Sequence, residues 1–155
     1  MRAVEDWLSE YGESHRNGIN KAVHWICVPL IVFSVIGLLW SIPVPAAWRE
    51  VSPVLNFGTL FIVATVVYYF FLSLPLALGM LLVSTVMIAV LSWLDGLATP
   101  VWQIAAAIFV VSWIGQFIGH IFEGRRPSFF KDVQFLLIGP IWLLAALYRT
   151  LRVPY

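Results

Sequence analysis

Residues 113–127 read WIGQFIGHIFEGRRP. An apolar run that begins near Val101 ends in this stretch, and its last turns carry Gln116, His120 and Glu123. On a helix these three fall at i, i+4 and i+7, stacked along one face. Gly124 then stops the helix, and Arg125 and Arg126 follow at its negative end. Polar and ionisable groups at the edge of a membrane span are costly, so their default reading is a functional site. The run therefore reads as a transmembrane helix whose end carries chemistry.

Composition agrees with a membrane setting. The 155 residues are 61% hydrophobic and 11% charged, against roughly 25% charged in soluble domains. Eight Trp and eleven Phe suit aromatic belts at the two interfaces. Between residues 22 and 122 only Arg49, Glu50 and Asp95 are ionised at neutral pH. A net charge of +1 comes with no basic patch of the kind that binds nucleic acid. Strand-type alternation is absent, which excludes a β-barrel. The lone Cys27 cannot form an internal disulfide and reads as a small apolar side chain. The acidic, polar start of the chain does not resemble a secretory signal peptide, so the first span is expected to act as its own insertion signal.

The chain then divides as follows. Residues 3–15 predict a short amphipathic helix lying on the membrane surface, with Val4, Leu8, Tyr11 and His15 on one face. Asn17-Gly18 marks a turn, and Asn20 is the expected N-cap of the next helix. Four spans are expected over about 21–42, 54–72, 76–94 and 101–122, close to the roughly 20 residues needed to cross the hydrocarbon core. The Ser73-Leu74-Pro75 link is short enough to force the second and third into antiparallel packing. A fifth hydrophobic segment, residues 133–147, is marginal for a span and carries Gly139-Pro140; re-entry and spanning both remain open. The expected fold is thus an all-α, multi-pass integral membrane domain over residues 1–155. Arg2, Arg16 and Lys21 precede the first span, and Arg125, Arg126 and Lys131 follow the fourth. The positive-inside rule puts both clusters on the cytoplasmic side.

That topology brings distant residues to one depth. His24 lies one turn inside the first span and His120 one turn from the end of the fourth; His15, the third histidine of the chain, precedes the first span. On one straight helix His15 and His24 would face opposite ways, so a break at Asn17-Gly18 is needed to bring them together. Three imidazoles beside the carboxylate of Glu123 suit iron or zinc, and two His with one carboxylate form the facial triad of non-haem Fe(II) oxygenases. Gln116, Asn17 and Asn20 could orient the ligands. Each residue also has a plainer reading. A lone histidine at an interface is ordinarily a hydrogen-bonded helix-end residue, Glu123 could pair with Arg125 or Arg126, Tyr11 could anchor the interface, and Asn17 and Asn20 could be turn and cap residues.

The two polar clusters also form patterns: Tyr11-x3-His15-x-Asn17-x2-Asn20-Lys21-x2-His24-x4-Pro29, and Gln116-x3-His120-x2-Glu123-x3-Pro127. Both resemble the signatures of a small membrane family of Fe(II)-dependent 2-hydroxy-fatty-acid dioxygenases, over nearly the whole chain. The resemblance implies an enzyme of fatty-acid α-oxidation in phytosphingosine breakdown. It would use O2 to remove one carbon from a long-chain 2-hydroxy fatty acid. The family's essential histidines map onto His15, His24 and His120. Glu123 and Gln116 are then expected to be catalytic, with Asn17, Asn20, Tyr11 and Arg125 around the ligands or the substrate. The expected site faces the cytoplasm, in a bacterial inner membrane or the endoplasmic reticulum. The expected partners are the fatty acid, the lipid bilayer and, in a homo-oligomer, a second copy of the chain; the sequence does not fix the oligomeric state. Two other classes remain open: a zinc-dependent membrane lipid hydrolase, and a membrane scaffold without catalysis. A di-iron desaturase is disfavoured, because three histidines are too few for its His-rich boxes.

Overall fold

The computed structural model describes residues 3–13, 15–124 and 135–155. Seven helices and no strand are found among them: α1 (Val4–Glu13), α2 (Gly18–Trp40), α3 (Ala46–Val51), α4 (Phe57–Leu72), α5 (Leu74–Asp95), α6 (Val101–Glu123) and α7 (Ile138–Leu151). Three of these, α2, α5 and α6, are long and apolar enough to cross a membrane; α4 and α7 are shorter apolar helices.

Local chemistry sets the boundaries. Asn17, not Asn20, caps α2: its side chain accepts from the backbone N–H of Ile19 (2.8 Å) and Asn20 (3.3 Å). α2 therefore starts at Gly18, three residues earlier than the span expected from hydropathy, and Asn20 is released to the interior. Asn56 caps α4 in the same manner. Ser73 alone separates α4 from α5, and Pro75 sits in the first turn of α5. Gly124 ends α6 in the left-handed region, at φ 69°, a conformation that favours glycine. At the N-terminus α1 ends at Glu13, so His15 lies in the link to α2 instead of on the helix's last turn. Its apolar face buries Leu8 and Tyr11 and packs onto α7. The fifth hydrophobic segment is a 14-residue helix running on to Leu151; residues 133 and 134 lie outside the described residues, as do Arg125, Arg126 and Lys131.

The most extensive packing is between α2 and α6. They run antiparallel, with Gly37 against Ala105, Gly115 against Cys27 and Gly119 against Val23. Gly115 and Gly119 form a small-xxx-small pair that lets the backbones approach closely. The solvent pattern is that of a membrane bundle. Large apolar side chains such as Ile26, Leu82, Val111 and Ile121 are exposed, while Asn20, His24, Ser34, Ser112, Gln116 and His120 are buried. Outside a bilayer this arrangement would leave apolar surface in water and polar groups inside.

Candidate metal centre

The break between α1 and α2 folds His15 back over the start of α2. Its imidazole lies 4.1 Å from that of His24 and 5.8 Å from that of His120, centre to centre, and the last two are 5.3 Å apart. All three are buried, and one ring nitrogen from each lies within 4.8 Å of the others. The side chains come from three elements: the α1–α2 link, the first turns of α2, and the last turn of α6.

The hydrogen bonds around two of these rings fix their protonation. His15 Nδ1 donates to the Tyr11 carbonyl at 2.6 Å, and His24 Nδ1 donates to the Asn20 carbonyl at 2.8 Å. A carbonyl only accepts, so both Nδ1 atoms carry hydrogen. In neutral rings both Nε2 atoms are then bare lone pairs, yet they face each other at 2.8 Å. Two facing lone pairs require an electrophile, either a proton or a metal ion. Burial, the largest influence on His15, holds its imidazole below the ordinary value and so disfavours the proton. His120 Nδ1 is also buried with no hydrogen-bond partner among the described residues. Backbone carbonyls that anchor the distal N–H are the usual support for a metal-binding histidine. The donor set fits a first-row metal such as iron or zinc.

Glu123 does something the spacing did not suggest. Its Oε1 accepts from the Arg16 backbone N–H (2.9 Å), and its Oε2 accepts from the Asn17 backbone N–H (3.0 Å) and the Asn20 side chain (2.9 Å). The Asn17 side chain in turn donates to the Phe122 carbonyl at 3.2 Å. The end of α6 thus clamps the α1–α2 link, which carries His15. Asn20, fully buried, lies against Gly119, where a Cβ would come within 2.7 Å of its Oδ1. Tyr11 stacks on His15, with centres 4.2 Å apart and planes 10° from parallel. Trp142 of α7 flanks the same ring at 5.6 Å. Sequence reasoning missed Trp142, since α7 showed no polar signature, and missed the Gly115/Gly119 pair, although its spacing was legible. Gln116 is buried and, with His24 and His120, borders a small cavity of about 40 Å³ whose other walls include Tyr11, Val28 and Leu136. Arg125 lies outside the described residues.

Residues 1–151 match the family described as Mpo1-like: 2-hydroxy-palmitic acid dioxygenase Mpo1-like. The chain belongs to the Mpo1-like family. It is also similar to the 2-hydroxy-palmitic acid dioxygenase MPO1 of Saccharomyces cerevisiae, with 29% identity over 139 residues, 88% of this chain and 75% of the yeast protein. No solved structure matches the chain. The Mpo1-like match spans both polar motifs, so the three clustered histidines all lie inside it.

Proposed function

We propose that this protein is an Fe(II)-dependent dioxygenase that shortens a long-chain 2-hydroxy fatty acid by one carbon. The observation that carries the reading is the approach of His15 Nε2 to His24 Nε2 at 2.8 Å beside His120, which gathers three buried imidazole nitrogens within 4.8 Å of one another. Membership of the Mpo1-like family and similarity to the yeast 2-hydroxy-palmitic acid dioxygenase support the reaction class. The overall change balances without an outside reductant: the 2-hydroxy acid and O2 give the shortened acid, CO2 and water. All four electrons taken by O2 come from the two carbons of the cleaved bond, so no 2-oxo acid or haem is needed. His15, His24 and His120 would hold the iron, which supplies Lewis acidity and redox chemistry toward O2 when bound.

The chain's own residues do the rest. Gln116 offers an amide donor to the substrate's oxygens from the cavity wall, and the apolar walls keep water from the reacting end. Glu123, Asn17 and Asn20 hold the His15 link in place. The membrane topology we assign has α2, α4, α5 and α6 crossing, α1 at the interface and α7 re-entrant, with the histidines toward the cytoplasm by the positive-inside rule. At 16 residues, α4 is about 24 Å long and spans with the help of flanking residues. The acid produced by long-chain-base breakdown would reach the site from the bilayer.

The test is direct. The purified, iron-loaded protein is incubated with 2-hydroxypalmitate under air, and the acid one carbon shorter is sought together with O2 uptake. No oxygen-dependent product across several chain lengths would sink the assignment. Three histidines also form a zinc-type set, and the carboxylate of Glu123 is engaged with the α1–α2 link. A zinc-dependent lipid hydrolase is therefore the second reading; zinc in the purified protein with activity surviving under anaerobic conditions would establish it.

A further inference from the structure

The cavity beside the histidines, about 40 Å³, offers roughly three water-sized positions. The carboxyl and hydroxyl end of a 2-hydroxy acid fits there; a long tail does not. One wall of that cavity, Leu136, also borders a second and largely apolar space of about 20 Å³ between α2, α4, α5 and the start of α7. The second space shares Val32, Met80, Met87 and Pro140 with a third, an apolar groove of about 160 Å³ between α2, α5 and α7. Trp25 and Leu147 on the rim of that groove are exposed, on a surface that faces lipid. The three spaces therefore form a series from the histidines to the bilayer, all alongside α7 and the residues that lead into it. The middle one is the narrowest. Met80 and Met87 are the two methionines inside the chain, and a spacing of seven puts them on one face of α5. Unbranched, adaptable methionine suits a wall that must part for a chain and close behind it.

We propose that these spaces form one lateral channel for the acyl tail. It runs from the histidines past Leu136, beside Met80 and Met87, and out through the α2–α5–α7 groove into the bilayer. This rests on the dioxygenase reading, but the test separates the two. The full-length protein is reconstituted in phospholipid nanodiscs and irradiated with 2-hydroxypalmitate carrying a diazirine at its terminal carbon, and the labelled peptides are mapped. Label on α5 near 83–87 or on α7 near 143–147, displaced by unlabelled 2-hydroxypalmitate and reduced at least fivefold by Met87→Trp, is the expected result. Label spread evenly over the exposed face of α6 and indifferent to Met87→Trp would overturn the channel. Labelling as expected with no shortened acid under air would retain the channel and remove the dioxygenase reading.

Turnover supplies the second arm. Met87→Trp lowers kcat/KM at least tenfold for the longest 2-hydroxy acids relative to the shortest one turned over, while the protein keeps its iron. Val111→Trp, a change on the lipid-facing side of α6, leaves that length profile as it was. A loss that is uniform across chain lengths, or no loss at all, counts against the channel.

Discussion

The two ends of the α2–α6 pair are built from the same helices in the same register, yet they are held together by different physics. At the histidine end Asn20 is seated against Gly119, Glu123 accepts two hydrogen bonds from the α1–α2 link and a third from Asn20 of α2, and the three imidazoles converge. At the far end Gly37 meets Ala105 and Leu91, inside an apolar cluster with Ile36, Trp40 and Val101. In lipid, apolar side chains gain little by leaving their surroundings for one another, so the far end is held by close packing. A misplaced polar group is costly in the same medium. Register is therefore specified at the histidine end, while the far end fills space.

The largest effect should come from removing a ligand. His24→Ala is expected to reduce bound iron to background and to cost more activity than the roughly 10–100-fold typical of losing a ligand's supporting partner. Metal analysis of the purified variant, alongside product formation, checks this. Ser34→Ala, a change to a buried polar group further along the same helix that bonds the Ile31 carbonyl, is expected to keep both metal and activity. A comparable loss in the two variants would mean that α2 is uniformly fragile and that the contrast between its ends is false.

Glu123→Gln comes next. The amide keeps one acceptor oxygen but turns an N–H group toward the donors that face it, the Arg16 and Asn17 backbone N–H groups of the α1–α2 link and the Asn20 side chain of α2. The expected outcome is a 10–100-fold weaker hold on the metal, read by competition with a chelator, with turnover recovering when iron is supplied in excess. Unchanged metal affinity with collapsed turnover would instead put Glu123 in contact with the substrate.

That ambiguity marks how far the sequence could be read. Helix existence, the Gly124 stop, the tightness of the α4–α5 connection (three residues expected, Ser73 alone found) and the convergence of His15, His24 and His120 were legible, because hydropathy, glycine and proline act locally and topology fixes depth. The cap at Asn17 was misassigned to Asn20, since both residues have capping chemistry and only burial distinguishes them. The clamp by Glu123 was not legible, because it depends on where a link more than a hundred residues away is laid down. The imidazole orientations were equally hidden: the Tyr11 and Asn20 carbonyls that fix them are backbone groups, which leave no mark in a sequence pattern. Trp142 became part of the site only when α7 was packed onto α1.

Two glycine substitutions give the smaller effects and the finest comparison. In each, alanine favours the helix by about 1 kcal/mol over glycine, so the difference between them lies in what the new methyl meets. At Gly119 it would lie 2.7 Å from Asn20 Oδ1 and 3.2 Å from Val23 Cγ1. Asn20 must then move and loosen its bond to Glu123, so Gly119→Ala is expected to weaken metal binding several-fold as well as stability. At Gly37 the methyl would meet Ala105 Cβ at 3.0 Å and Leu91 Cδ2 at 3.3 Å. The leucine tip can yield by a few tenths of an ångström, whereas Ala105 Cβ yields only with a small shift of α6; overpacking of this kind costs about 1–3 kcal/mol, offset in part by the helix term. Gly37→Ala should therefore shift the melting temperature in detergent by a few degrees at most and leave iron content and turnover unchanged. A Gly37→Ala protein that lost iron would show that strain travels the length of α2, and the far end would then share in setting the register of the site.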